Sequence, residues 1–181
     1  PARLLAVFRR RQLLRISLRD VMGHAILPET VEDVSNLADA ILDVAYRRIR
    51  ANLEQRYGAP ACTDSQGGKH LCGMSVIALG KLGGRELNYS SDIDLMFVYS
   101  GNGATDGQDS ISNKEFFKKV ANLYTDLLSN YTSDGACYRV DLRLRPDGRL
   151  GEVCLSLDGA RSYYETRGRD CSLDQWQDGG D

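Results

Sequence analysis

Histidine is almost missing from this sequence: His24 and His70 are the only two in 181 residues. That scarcity argues against imidazole-ligated metal centres and against triads built on a histidine base. Cysteine is scattered: Cys62, Cys72, Cys137, Cys154 and Cys171 contain no Cys-x-x-Cys pair. Neither a zinc site nor a disulfide framework is indicated, and the reduced thiols of a cytoplasmic protein are the simplest reading. No apolar stretch reaches the roughly 18 residues of a membrane span, and no signal peptide is visible, so no membrane partner is expected. A large charge excess is lacking too. The net charge of -2 and a pI near 5.7 give no general pull towards nucleic acid. The local run Arg9, Arg10, Arg11 reads as a solvated helix face. An initiator methionine is also absent: the sequence opens at Pro1, and a piece of something longer is expected.

What is present is a chain able to bury one good core, with room for a helical annex. Arg3 to Met22 reads as a helix ended by Gly23, with Leu4, Phe8, Leu14, Leu18 and Val21 on its apolar stripe. Pro28-Glu29-Thr30 opens a second helix, with Thr30 as the expected cap and Asp33 three residues on. Val34, Leu37, Ile41, Val44 and Ile49 form its inner face, and Gly58 and Pro60 close it. The polar stretch Thr63 to Lys69 is the expected boundary between a helical segment (1–60) and a second unit (70–170). From Met74 the pattern turns to strand, then to the glycine turn Gly80-Lys81-Leu82-Gly83-Gly84 and a second strand. A loop is expected over Gly101 to Gln108. Ser112 and Glu115 form a capping box for a helix carrying Phe117, Val120, Tyr124 and Leu127. Ala136 to Arg145 alternates as a third strand, with Val140, Leu142 and Leu144 on one face and Asp141, Arg143 and Arg145 on the other. Pro146-Asp147-Gly148 turns the chain, and Ser156 to Arg167 reads as a last helix. The fold class is α+β with a small mixed sheet preceded by helices.

The chemistry concentrates in "NYSSDIDLMFVYS", Asn88 to Ser100. In a strand, Asp92 and Asp94 point to the same face, at the mouth of an apolar run where like charges are costly unless neutralised. Asp141 sits on the polar face of the next predicted strand. If the two strands are neighbours, three carboxylates converge, and a hard divalent cation such as Mg²⁺, sharing a nucleotide's phosphate oxygens, is the economical neutraliser. The glycine turn ahead of Asp92 supplies backbone N–H groups near the same place. Each part also has a plain reading: a wet strand end for the aspartates, a tight turn for the glycines, a surface ion pair for Asp141. Their order and joint placement are what point to a site.

"GKLGGRELNYSSDIDLMFVYS", "YRVDLRLRPDGR" and "SYYETRGRD", with "FRRRQLLRISLRD" ahead of them, closely resemble the glutamine synthetase adenylyltransferase family. The resemblance implies a nucleotidyltransferase domain of the DNA polymerase β type. It implies Asp92 and Asp94 as the metal-binding D-x-D and Asp141 as the third carboxylate, with two Mg²⁺ ions held among them and Asp141 helping to deprotonate a tyrosine hydroxyl in the transfer direction. It places Gly80, Gly83 and Gly84 in the turn that faces nucleotide phosphates, with Lys81 beside them and Ser91 ahead of the D-x-D. Arg143 and Arg145, on Asp141's predicted face, meet phosphate oxygens in this reading. In the plain alternative they form outward ion pairs with Asp147 or Glu152.

The family carries two such domains for opposed reactions on a tyrosine of glutamine synthetase: AMP transfer from ATP, and AMP removal by orthophosphate to give ADP. "ELNYSSDID", "YRVDLRLRP" and "RGRD" look more like the N-terminal, adenylyl-removing domain. Regions associated with sensing the PII signal protein are absent here. After Asp170 the chain reads "CSLDQWQDGGD", unlike the family, and an unstructured tail is expected over 171–181. Two other readings stay open at this point. One is a nucleotidyltransferase acting on a small molecule or an RNA end, and the other is a non-catalytic nucleotide-binding remnant.

Overall fold

The computed structural model describes residues 1–63 and 68–167. Two long helices come first: α1 (Ala2–Val21) and α2 (Leu27–Tyr57). The chain then forms β1 (Pro60–Thr63), β2 (Lys69–Leu71), β3 (Met74–Leu79), a single helical turn α3 (Gly80–Gly83), β4 (Ile93–Tyr99), β5 (Gly103–Thr105), α4 (Asn113–Ser129), β6 (Val140–Asp141), β7 (Cys154–Ser156) and α5 (Leu157–Thr166). The architecture is α+β, as expected. Among the described residues no helix is long and apolar enough to cross a membrane. The expected tail over 171–181 lies outside the described residues.

β4 is the axis of the main sheet. It pairs antiparallel with β3 from Asp94 to Tyr99. On its other edge it pairs parallel with β6 at Ile93 and Asp94, and with β7 at Phe97 to Tyr99. Alternation divides the strand's faces. Ile93, Leu95, Phe97 and Tyr99 enter the core shared with α2 and α4. Met96 and Val98 turn the other way, towards Ala160 of α5. Phe97 meets Tyr124 of α4 edge-on, with centroids 5.7 Å apart, and Tyr99 stacks on Phe117 at 5.2 Å. Each such buried aromatic contributes about 1.5–3 kcal/mol of burial. Ile16 of α1 and Val34, Leu37, Ile41 and Ile49 of α2 belong to this same core.

A smaller sheet in the order β2-β1-β5 flanks it. Thr63 and Lys69, the ends of the stretch expected as a boundary loop, are register partners in its β1–β2 ladder, and the loop expected over Gly101 to Gln108 contains β5. The buried Asn113 ties the layers together: its Nδ2 donates to the carbonyls of Ala61 and Gly101, each at 3.0 Å.

Four local expectations are corrected. In α1 the stripe Leu4, Phe8, Leu14, Leu18 and Val21 is exposed. The inward face instead runs through Ala6, Arg9, Leu13, Ile16 and Asp20, because apolar residues occur all round this helix and its polar Arg9 and Asp20 have partners inside. Thr30 does not cap α2. The helix starts a turn earlier, and Glu29 accepts from the Ile26 N–H at 3.2 Å, while Val44 on the expected inner face is exposed. Gly80 to Gly83 form one helical turn in place of the expected plain turn. The strand expected over Ala136–Arg145 contracts to Val140–Asp141. There the Asp141 carboxylate accepts from the Arg143 N–H at 2.8 Å and bends the chain out of the sheet, a local bond that outcompetes the ladder. The Ser112 cap does form, accepting from the Glu115 N–H at 3.2 Å.

Candidate functional site

The parallel pairing of β4 with β6 sets Asp94 directly opposite Asp141. Neighbouring strands lie about 4.8 Å apart, so the two carboxyl-bearing residues leave the sheet side by side. Asp92 precedes β4 by one residue. Its position is fixed by the Ile93 N–H, which donates to the Arg139 carbonyl at 3.0 Å. A cleft of about 430 Å³ opens here, lined by Asp92, Asp94 and Asp141 together with Gly80, Lys81, Asn88, Ser90, Ser91, Arg139 and Arg143.

The segment leading into Asp92 is pinned to both long helices. Arg85 pairs with Asn36 at 2.5 Å and with Asp39 at 3.6 Å. The buried Leu87 donates its N–H to Ser35 Oγ at 3.2 Å. Arg9 donates to the Tyr89 carbonyl at 3.2 Å, and the Tyr89 hydroxyl donates to Asp20 at 2.9 Å. Ser91 Oγ donates to Asn88 Oδ1 at 2.6 Å, closing a tight polar turn. The helices thus hold the loop, and the loop holds Asp92.

The three carboxylates differ in their surroundings. Asp92 accepts from Arg139 Nε. Asp141 accepts from Arg143 Nε at 2.7 Å as well as from its backbone N–H, and these bonds hold its carboxyl below the usual range. Asp94 has no hydrogen-bond or ion-pair partner among the described residues. Burial and then the negative charges of Asp141 and Asp92 raise its carboxyl above the ordinary value. A Cβ at Gly80, whose φ is +55°, would stand 2.5 Å from Asp94 Oδ2. This donor set suits a hard cation: oxygen-only, negatively charged, with one carboxylate left unsatisfied. It is not gathered into a closed metal cage, since Asp92 and Asp141 are each turned to an arginine, and among the described residues no such cluster is formed.

Gly80, Lys81, Ser91 and Arg143 line the cleft, but Gly83, Gly84 and Arg145 do not. Gly83 is there for packing, because a Cβ would meet the Ala78 carbonyl at 2.6 Å. Gly84 closes the α3 turn, its N–H donating to the Gly80 carbonyl at 3.0 Å. Arg145 folds its guanidinium onto the carbonyls of Leu142 at 2.7 Å and Gly151 at 3.3 Å. With Asp141, Arg143 and Arg149 it borders a second cleft of about 510 Å³. The outward pairs are made by others: Glu152 with Lys114 and Asp147 with Arg167. Sequence reasoning overlooks Arg139 and Asn88. Arg139 has the same parity as Asp141 in the alternating stretch, and Asn88 opens an Asn-x-Ser-Ser turn, so both signals are present.

A carboxylate cleft at the end of paired strands, flanked by a glycine turn and arginines, presents oxygen ligands and guanidinium donors side by side. The comparisons with known proteins narrow the reading. The chain belongs to the glutamate-ammonia ligase adenylyltransferase family, whose profile matches residues 2–173. Similar proteins include the bifunctional glutamine synthetase adenylyltransferase/adenylyl-removing enzymes of Pseudomonas putida (43% identical over 170 residues, 93% of this chain), Thioalkalivibrio sulfidiphilus (40%, 92%) and Bordetella pertussis (40%, 96%). The chain spans 17–18% of the length of these relatives.

Proposed function

We propose that this chain is a Mg²⁺-dependent nucleotidyltransferase unit of the DNA polymerase β type that removes AMP from a tyrosine of glutamine synthetase. The observation that carries the reading is the register match of Asp94 with Asp141, which brings the D-x-D and the third carboxylate into one cleft with Gly80 and Lys81. Family membership supports the substrate, because the relatives' names pair addition and removal of an adenylyl group. The catalytic unit is residues 70–170, supported by the helical segment 1–60, in a cytoplasmic protein; response to PII lies in parts of the relatives outside this chain.

In this reading Asp92, Asp94 and Asp141 hold two Mg²⁺ ions. Bound there, such ions would supply Lewis-acid stabilisation of the charge that develops on the phosphate oxygens. Orthophosphate attacks the AMP phosphorus, the bond to the tyrosine oxygen breaks, and the proton given up by the orthophosphate passes to the departing oxygen, so that ADP and a free tyrosine hydroxyl result. Arg143 and Lys81 face the cleft and suit phosphate oxygens. Asp141, held below the usual carboxylate range by Arg143, suits a ligand better than a proton acceptor.

The test is direct. Adenylylated glutamine synthetase, Mg²⁺ and labelled orthophosphate are incubated with the chain, and label is sought in ADP. Consumption of ATP with release of pyrophosphate instead assigns the adding direction. Binding of Mg²⁺-nucleotide with neither turnover leaves a binding remnant.

A further inference from the structure

The protein neutralises two of its three clustered carboxylates and leaves the third alone. Asp92 takes Arg139 Nε, and Arg139 Nη2 is tethered to the Ser90 carbonyl at 3.0 Å. Asp141 takes Arg143 through Nε at 2.7 Å and Nη2 at 2.5 Å. The Asp94 carboxylate has no hydrogen bond or ion pair among the described residues, and only the more distant charge of Arg143 acts against its own. Both arginine side chains are widely open to solvent, at 73% and 64% exposure. The Arg139–Asp92 pair, whose carboxylate is also 45% exposed, is of the kind worth about 0–1 kcal/mol. Asp141 is 15% exposed and holds Arg143 more firmly, yet that guanidinium too stands in solvent, free to turn once a cation replaces it. Among the described residues each arginine leaves its Nη1 amine unspent.

The charge balance of the cleft governs both arginines. Three carboxylates are balanced in the cleft by the two guanidinium groups and the Lys81 ammonium. A divalent cation adds positive charge to that balance and makes both guanidinium groups surplus beside the metal. A guanidinium fork matches phosphate as well as it matches carboxylate, so it can change partner without changing its mode of binding. Arg139 and Arg143 stand two residues either side of Asp141, at the rim of the same cleft.

Resting on the reading of this cleft as a metal and phosphate site, we propose that Arg139 and Arg143 are exchangeable counter-ions. Each neutralises an aspartate until a divalent cation takes that carboxylate over, and each then turns its guanidinium to the oxygens of the substrate phosphate. Cation and phosphate binding are thereby coupled, and the coupling is reciprocal. The device keeps the cleft from binding phosphate before the metal is in place.

The experiment is a calorimetric titration of Mn²⁺ into the chain at constant ionic strength, with and without orthophosphate. In the parent, orthophosphate tightens Mn²⁺ binding by about 5-fold or more, the lower range of typical coupling. Arg139→Ala and Arg143→Ala each bind Mn²⁺ more tightly than the parent without orthophosphate and lose most of the tightening. Arg139→Lys and Arg143→Lys keep the charge, so their Mn²⁺ affinity without orthophosphate stays near the parent's while the coupling falls. Circular dichroism establishes that each variant is folded, and the lysine variants decide the matter if an alanine variant is not. Alanine variants that retain the full orthophosphate effect overturn the proposal. A parent that binds Mn²⁺ with no orthophosphate effect also overturns it, leaving the metal site standing. A parent that binds no Mn²⁺ under either condition overturns both.

Discussion

Gly80 and Asp94 touch across the end of the β3–β4 ladder so closely that a Cβ on the glycine would stand 2.5 Å from Asp94 Oδ2. Gly80 also holds φ at +55°, where an L-residue is strained by about 1–2 kcal/mol. Gly80→Ala is expected to lower the urea midpoint by that strain and to swing the Asp94 carboxylate out of place, so that Mn²⁺ affinity falls. In an Asp94→Ala background the clash disappears and only the backbone strain remains. A double-mutant cycle reads the difference as a coupling, and strict additivity would show that the two residues do not press on one another.

Asp94→Asn is expected to stabilise the metal-free protein at neutral pH. The wild-type carboxylate is half-buried, unpaired and beside two like charges, and its proton is held above the ordinary carboxylate value. A group whose folded pKa is raised costs stability once it ionises. The cost is complete above the raised folded value and is gone below the unfolded value near 3.9. The midpoint difference between Asp94→Asn and the parent should therefore be largest near pH 7 and vanish as the pH falls through the carboxylate range. Mg²⁺ should raise the thermal midpoint of the parent and not of the variant. A pH-independent difference would assign the effect to packing.

Where an element's own pattern carries its placement, the sequence is legible. β4 is apolar from Leu95 to Tyr99 because both its faces are covered, and its mouth exposes the D-x-D. The fold class, the order of the elements and the meeting of Asp92, Asp94 and Asp141 all follow from it. The third strand misleads because the alternation in "YRVDLRLR" takes no account of the competing bond from the Arg143 N–H to the Asp141 carboxylate. That bond also takes Arg145 out of the cleft. The face of α1 is illegible for a different reason. Leucines occur on every side of it, and the residues that fix its rotation are Arg9 and Asp20, polar groups whose partners lie about 80 and 70 positions away. No local periodicity records a partner that distant.

Asn113 is a stability prediction independent of the site. Its side chain is fully buried, and Nδ2 spans the carbonyls of Ala61 and Gly101, joining the small sheet to the start of α4. Asn113→Ala leaves two carbonyls without that donor, at about 1–3 kcal/mol for each group so abandoned. Removing the buried Oδ1, which has no partner among the described residues, offsets part of that, so a loss of about 2–4 kcal/mol is expected, read from urea midpoints. A loss under about 0.5 kcal/mol, the usual range for surface substitutions, would show that water replaces the amide.

Arg9 is expected to matter to the cleft although it comes from the first helix. Its guanidinium lies 4.4 Å from the centre of the Tyr138 ring and donates to the Tyr89 carbonyl. It therefore grips the two segments that deliver Asp92 and Arg139. A partly desolvated cation–π contact and a charge-assisted hydrogen bond together place the cost of Arg9→Met at about 1–3 kcal/mol. The outward Leu14, 61% exposed, provides the contrast: Leu14→Ala should stay within about 0.5 kcal/mol. If Arg9 acts only as a structural pin, its replacement lowers the urea midpoint and leaves Mn²⁺ affinity alone. If it positions the loop, Mn²⁺ affinity falls well below the denaturation range, at temperatures where circular dichroism shows the variant fully folded. Arg9→Lys keeps the charge near the ring but loses the fork that reaches the carbonyl, so it should recover part of the stability and little of the affinity. Full recovery of both by lysine would reduce Arg9 to a charge on a helix.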